Sequence, residues 1–294
     1  MGSRFYKNYI LLLRPQQWIK NVLVFAGLIF SENVGNVSKC LTVLASFIIF
    51  CAVSSGIYII NDIIDRNEDK RHPEKSNRPI ASGKVSIPIS VGISIVLLVL
   101  SFLGAGILSC GFFAVIFIYF VIHIVYSLFL KQLIIVDVFC IAAGFVLRAM
   151  GGAAVIQVEI SPWLILCTFF VSLFIGFGKR RNELELLQED ARRHRPILGE
   201  YTPYFLDNII SVVTGATVLS YALYTVSPET VRKFGSINLL YTVPFVLYGI
   251  FRYLFLVHQK KKGGDPTKIF LSDRSLQVNI VLWIVLCFVI IYLK

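Results

Sequence analysis

The chain has 294 residues, 56% of them hydrophobic and 15% charged, with a mean hydropathy of +0.76. A soluble domain is about half apolar and about a quarter charged, so a disordered chain, a collagen-like fibre and a small disulfide scaffold are excluded. Lys and Arg outnumber Asp and Glu by 28 to 17, a net charge of +11. That excess fits either a nucleic-acid surface or the cytoplasmic loops of a membrane protein, and its placement decides between them.

In chain order, nine apolar runs lie near 18–33, 40–60, 87–108, 111–130, 133–157, 162–178, 205–226, 237–257 and 276–293. A helix of about 20 such residues crosses a hydrocarbon core. The runs are continuous rather than alternating and longer than a barrel strand needs, so helices are predicted. Interior Gly and Ser suit close helix packing in lipid. The first run has a long tryptophan-containing lead and no A-x-A-like site, unlike a signal peptide. With the N-terminus placed in the cytoplasm, 22 of the 28 Lys and Arg fall on the cytoplasmic side. The expectation is therefore an all-α integral membrane protein, one polytopic domain over residues 1–294. Its nine transmembrane helices run from a cytoplasmic N-terminus to an outside C-terminus in the cell (inner or plasma) membrane. The cations flank spans, so no nucleic-acid partner is expected. Six cysteines are scattered through apolar runs with no C-x-x-C spacing and read as small buried residues.

The polar motifs come in the same order. Arg14-Pro15-Gln16-Gln17-Trp18-Ile19-Lys20-Asn21 puts Arg14 and Lys20 at the lip of the first run. The second run leads directly into Asn61-Asp62-Ile63-Ile64-Asp65-Arg66-Asn67-Glu68-Asp69. A continuing helix would stack Asn61, Asp65 and Asp69 on one face with Asp62 beside them. Like charges at that spacing need a counter-cation, and hard oxygen ligands at the mouth of a span suit Mg²⁺, which takes one or two carboxylates plus phosphate oxygens. The basic stretch that follows holds Lys70, Lys75 and Arg78, able to bind further phosphate oxygens; His72 reads as an interfacial residue. Asp137 and a deeply placed Arg148 share the fifth run. Gly178-Lys179-Arg180-Arg181-Asn182-Glu183 ends the sixth, with Glu185 and Glu189 beyond it. Arg252 ends the eighth, and Gly263-Gly264-Asp265-Pro266-Thr267 and Asp273-Arg274 follow.

The N-D-x-x-D-x-x-x-D motif at the end of the second span, followed by R-P-I-x-S-G, resembles the first signature of the UbiA superfamily of intramembrane prenyltransferases. The resemblance implies nine helices around a central cavity and a Mg²⁺-bound diphosphate. Asn61, Asp62, Asp65 and Asp69 would then hold the metal, with the three aspartates central to catalysis. The aromatic-substrate branch carries a second acidic D-x-x-x-D motif where this chain has Lys179, Arg180 and Arg181. The R-P-Q-Q-W-I-K-N and K-R-R-N-E segments instead resemble the polyprenyl-phosphate phosphoribosyltransferase branch, over about residues 13–275. That branch implies phosphoribosyl diphosphate as donor, a polyprenyl phosphate in the bilayer as acceptor, and arabinan precursor synthesis as the use of the product. Lys20, Asn61, Lys70, Lys75, Arg78, Arg148, Lys179, Arg180, Arg181, Glu183, Arg252 and Asp273 become the substrate-binding candidates. A homo-oligomer is compatible with this reading.

The alternative is a prenyltransferase of the same fold that takes a prenyl diphosphate; Glu183, Glu185 and Glu189 would have to supply its second motif. A transporter would show repeats or broken helices in matching halves. A scaffold would not need stacked carboxylates.

Overall fold

Every regular element among the described residues is helical, as lipid demands of a backbone that must satisfy its own hydrogen bonds. The computed structural model describes residues 2–71, 75–187, 196–259 and 266–293. His72, Glu189 and residues 263–265 lie outside them. The chain forms two units, Met1–Glu159 and Ile160–Lys294.

The first unit holds α1 (Gly2–Leu12), α2 (Ala26–Phe30), α3 (Val37–Ile64), α4 (Arg66–Arg71), α5 (Ile87–Leu108), α6 (Cys110–Leu128) and α7 (Val136–Val155). The second holds α8 (Pro162–Leu187), α9 (Pro203–Val226), α10 (Pro228–Phe234), α11 (Val243–His258), α12 (Pro266–Ser272) and α13 (Arg274–Tyr292). Among the described residues eight helices are long and apolar enough to cross a membrane: α3, α5, α6, α7, α8, α9, α11 with the turn before it, and α13.

The ninth predicted span, at 18–33, takes a different form. Pro15 opens an 11-residue 3-10 helix, Pro15–Phe25, and only the five residues of α2 after it are α-helical. Three residues per turn put Trp18, Asn21 and Val24 on one edge, and that edge faces inward, with Asn21 and Val24 buried and Trp18 half-buried. Trp18 donates to Ser55 Oγ at 3.0 Å, Asn21 donates to Ser54 Oγ at 3.4 Å, and Val24 is fully buried. Gly152 on α7 makes the approach feasible, because a Cβ there would overlap the Val24 carbonyl. Phe50, Phe112 and Tyr119 fill the centre edge to face, with centroids 5.7 and 5.5 Å from Phe50.

In the second unit, α8 runs past the predicted end of its apolar run, so Lys179–Glu185 lie on a helix and not in a loop. Asn279 on α13 donates to the Phe245 carbonyl of α11 at 2.9 Å, and Tyr221 of α9 bonds Thr242 at 2.7 Å. Asp273 caps α13 by accepting from the Leu276 N–H at 2.9 Å.

Candidate active site

The acidic motif departs from a single stacked face. Helix α3 ends at Ile64, Asp65 is its C-cap, and α4 begins at Arg66. The bonds Asp65 N–H to Asn61 O (2.9 Å) and Asp69 N–H to Asp65 O (2.8 Å) carry the chain across the break. The carboxylates then separate. Asp62 and Asp69, seven residues and about two turns apart, converge on Arg78, whose Nη1 lies 3.0 Å from Asp62 Oδ1 and 2.6 Å from Asp69 Oδ2. Arg14 also donates to Asp62 Oδ1. Asp65 accepts instead from Asn61 Nδ2, at 2.9 Å, and from Lys131. The predicted stack of Asn61, Asp65 and Asp69 is thus replaced by a pair, Asp62 with Asp69, beside an Asn61–Asp65–Lys131 group.

Burial explains the pairing. Asp62 and Asp69 are 2% and 3% exposed, and a buried carboxylate without a cation costs several kcal/mol (roughly 3–5). One of the cations sits on strained backbone, and the turn that carries another ends in strain. Arg14 sits at φ 53 immediately before Pro15, where a residue is normally extended, and its guanidinium lies 5.1 Å from the Tyr58 ring centre. Lys131 lies in the turn that ends at Ile135, whose φ of 68 goes with a Val136 N–H to Ile134 O bond of 2.7 Å, a γ-turn of the rare left-handed kind. Such strain persists where surrounding contacts over-determine the geometry.

A second buried polar group lies deeper in the same unit. Arg148, 3% exposed, donates to Asn21 Oδ1 (2.7 Å), the Gly144 carbonyl (2.8 Å) and the Tyr119 hydroxyl (2.6 Å). His123 packs edge-on to Tyr119 with centroids 4.3 Å apart. Gly144 leaves the room that this histidine fills. Lys20 makes no ion pair with any described residue, and Lys70 is exposed on α4. Lys75 lies in a short 3-10 turn, Lys75–Asn77, just before Arg78.

In the second unit, Arg180 is buried to 1% and donates to Glu183 Oε2 at 2.6 Å, while Lys179, 40% exposed, lies 3.7 Å from Glu183 Oε1. Arg181 turns the other way, to Asp207 (2.9 Å) and Glu185 (3.1 Å). Arg252 makes a two-point contact with Asp273, at 3.2 and 2.8 Å. Asn182 is 1% exposed, and among the described residues neither of its amide atoms has a hydrogen-bond partner.

The sequence reading missed the roles of Arg14, Lys131 and Tyr58. Tyr58 lies one helical turn before Asp62 on α3, so the i, i+4 rule could have found it. Nothing local links Lys131 to Asp65. Among the described residues no three Asp, Glu, His or Cys side chains converge to hold a metal by themselves. The Asp62–Asp69 pair still fits Mg²⁺, which needs one or two carboxylates and takes its other ligands from water and phosphate. Both carboxylates already face one positive group, the Arg78 guanidinium.

The helical fold and the carboxylate–cation site together describe a polytopic membrane protein with a buried, charge-paired acidic cluster. The profile of the UbiA prenyltransferase family matches residues 21–274, and the chain belongs to that family of membrane transferases. It is 33% identical over 288 residues to a decaprenyl-phosphate phosphoribosyltransferase of Corynebacterium glutamicum, covering 96% of this chain and 86% of that protein. It is 32% identical to the protein of the same name from Mycobacterium tuberculosis, covering 92% and 90%. Among solved structures, a UbiA homolog from Archaeoglobus fulgidus bound to GPP and Mg²⁺ superposes with a TM-score of 0.73, at 21% identity over 97% of this chain and 99% of that one.

Proposed function

We propose that the protein transfers the 5-phosphoribosyl group of phosphoribosyl diphosphate to a polyprenyl phosphate in the bilayer, releasing diphosphate with the help of Mg²⁺. The observation that carries this reading is the end of α8. The family's prenyl diphosphate chemistry expects a second set of carboxylates there, and this chain presents Lys179 and a buried Arg180. Cations suit a second phosphorylated substrate, because a phosphate is held by charge-assisted donors. Similarity to proteins named decaprenyl-phosphate phosphoribosyltransferase over more than nine-tenths of the chain supports transfer of a phosphoribosyl group to a polyprenyl phosphate.

In this reading Asp62 and Asp69 would hold the metal, with Asn61 and Asp65 beside them. When bound, Mg²⁺ would neutralise charge growing on the departing diphosphate. Arg14, Arg78 and Lys75 would hold donor oxygens and Lys20 a further phosphate group, while Lys179 and Arg180 are the phosphate-binding candidates of the second unit. The acceptor phosphate is already an anion, so no general base is required. The task of the chain is to bring two anions together and stabilise the leaving group. A polyprenyl chain resists leaving lipid by roughly 0.8 kcal/mol per CH₂, which accounts for a site in a membrane protein. A groove of about 580 Å³ between α11 and α13, lined by Phe245, Tyr248, Val278 and Leu282 with Arg274 at one end, suits an apolar chain with an anionic head. The distribution of Lys and Arg supports a cytoplasmic site in the cell membrane.

The test uses purified protein in nanodiscs with Mg²⁺, labelled phosphoribosyl diphosphate and a polyprenyl phosphate. Label entering the organic phase is the expected result. No transfer there, with transfer from a prenyl diphosphate to a small acceptor, would overturn the assignment in favour of a prenyltransferase.

A further inference from the structure

We infer that Arg78 is a stand-in for the metal ion. In donor-free protein it bridges Asp62 and Asp69; when the donor binds it leaves them for the diphosphate, so that metal and diphosphate enter together. The inference rests on reading Asp62 and Asp69 as the metal–diphosphate site.

Three observations carry it. First, a single nitrogen of Arg78 reaches both carboxylates, at 3.0 and 2.6 Å, so one positive group serves the whole pair. Second, the side chain is able to leave. The Arg78 backbone is anchored at both ends, by its N–H to the Lys75 carbonyl at 2.9 Å and by its carbonyl, which accepts from Ser82 Oγ at 2.8 Å. Its side chain, by contrast, is 25% exposed while the two carboxylates are only 2–4% exposed. Rotation about the side-chain bonds, with no shift of the helices, releases the pair.

The third observation is charge. Asp62 and Asp69 are matched by Arg14 and Arg78, so the group is neutral as it stands. Adding a divalent cation alone would leave a surplus of two positive charges around nearly buried groups, which a low-dielectric site resists. Adding the cation with a diphosphate, which carries about three negative charges, removes that positive surplus. Asp62 and Asp69 would then hold the metal, and the released Arg78 guanidinium would pair with phosphate oxygens, the bidentate contact that arginine favours. Free metal therefore binds weakly, and the diphosphate tightens it; by linkage the metal tightens the diphosphate equally.

Mn²⁺ and inorganic pyrophosphate test this directly. Free Mn²⁺ is followed by its EPR signal in titrations of detergent-purified protein, with binding of Mn²⁺ to pyrophosphate in solution subtracted. For the unmodified protein, pyrophosphate should tighten Mn²⁺ at least tenfold; no coupling would overturn the inference. In Arg78→Gln, Mn²⁺ alone should bind three- to tenfold more tightly than to the unmodified protein, and the gain from pyrophosphate should fall below threefold. An Arg that merely supports the site predicts the opposite sign, and equal or weaker binding of Mn²⁺ alone to Arg78→Gln would sink the idea. The titration of the unmodified protein decides the matter even if the variant does not fold. Pyrophosphate is common to phosphoribosyl and prenyl diphosphates, so failure here leaves the identity of the donor untouched.

Discussion

Lys131 donates to the carboxylate of Asp65, a residue 66 positions earlier in the chain. The pair ties the turn after α6 to the junction between α3 and α4, and both side chains are largely shielded, at 16% and 17% exposed. Removing the lysine leaves a carboxylate without its cation next to Asp62 and Asp69. Lys131→Met is expected to lower kcat/KM for the donor about tenfold, or ~1.4 kcal/mol. If the two residues act as a unit, Lys131→Met with Asp65→Asn will be no worse than Asp65→Asn alone. A double-mutant cycle in the transfer assay measures this.

Arg148 has a structural task that any lesser cation fails. Its three donors satisfy Asn21, Tyr119 and the Gly144 carbonyl in a buried site. Arg148→Lys keeps the charge and loses the planar fork. Each buried partner left without its bond costs about 1–3 kcal/mol, so thermal unfolding in detergent should show a loss of several degrees for this conservative change. Full retention of stability would mean that the network is incidental.

Close approach of backbones makes Gly152 irreplaceable. A methyl group there meets the Val24 backbone, which cannot step aside as a flexible side chain would. Gly152→Ala should therefore cost as much as an over-packed core, about 1–3 kcal/mol or more. Gly35, with nothing within 4 Å of an added Cβ, is the control, and Gly35→Ala should leave the melting temperature within a degree or two.

Neighbouring cations on α8 should separate by role. Arg181 is engaged with Asp207 and Glu185, so Arg181→Gln is expected to cost up to about 1 kcal/mol of stability with KM little changed. Lys179, the most exposed cation of the run, should behave in the opposite way. Lys179→Gln should raise the KM of a phosphorylated substrate three- to tenfold with the melting temperature unchanged.

The product offers a check on the chemistry. In the proposed reaction, attack by the acceptor phosphate opposite the departing diphosphate would invert the anomeric centre, from the α donor to a β-linked phosphoribosyl lipid. Proton and phosphorus NMR of the extracted product distinguishes the anomers, and a purely α-linked product would rule out a single displacement.

How much of this was legible beforehand follows from the range over which each property acts. Hydropathy and charge belong to single residues and short windows, so the helical class, most spans and the acidic motif could be read directly. The run at 18–33 is helical as read, but composition reports apolarity and not helix type: half-buried Trp18 and buried Asn21 and Val24 repeat every three residues. In sequence Arg14 reads as a residue at a span's lip, and nothing local marks Lys131. Their partners, Asp62 and Asp65, lie 48 and 66 positions away.

From the residues alone came the membrane, the helices, the family resemblance and the expectation of a carboxylate site for a metal-bound diphosphate. Tertiary structure alone decided which carboxylates act as a pair and which cation each one faces. It separated Asp65 from Asp62 and Asp69, placed Arg78 between those two, and committed Arg148 and Arg181 to partners within the protein. The physical reason is that a charge removed from water must find its counter-charge wherever the fold brings one near. That choice is made by the approach of helices distant in sequence, and no local pattern records it.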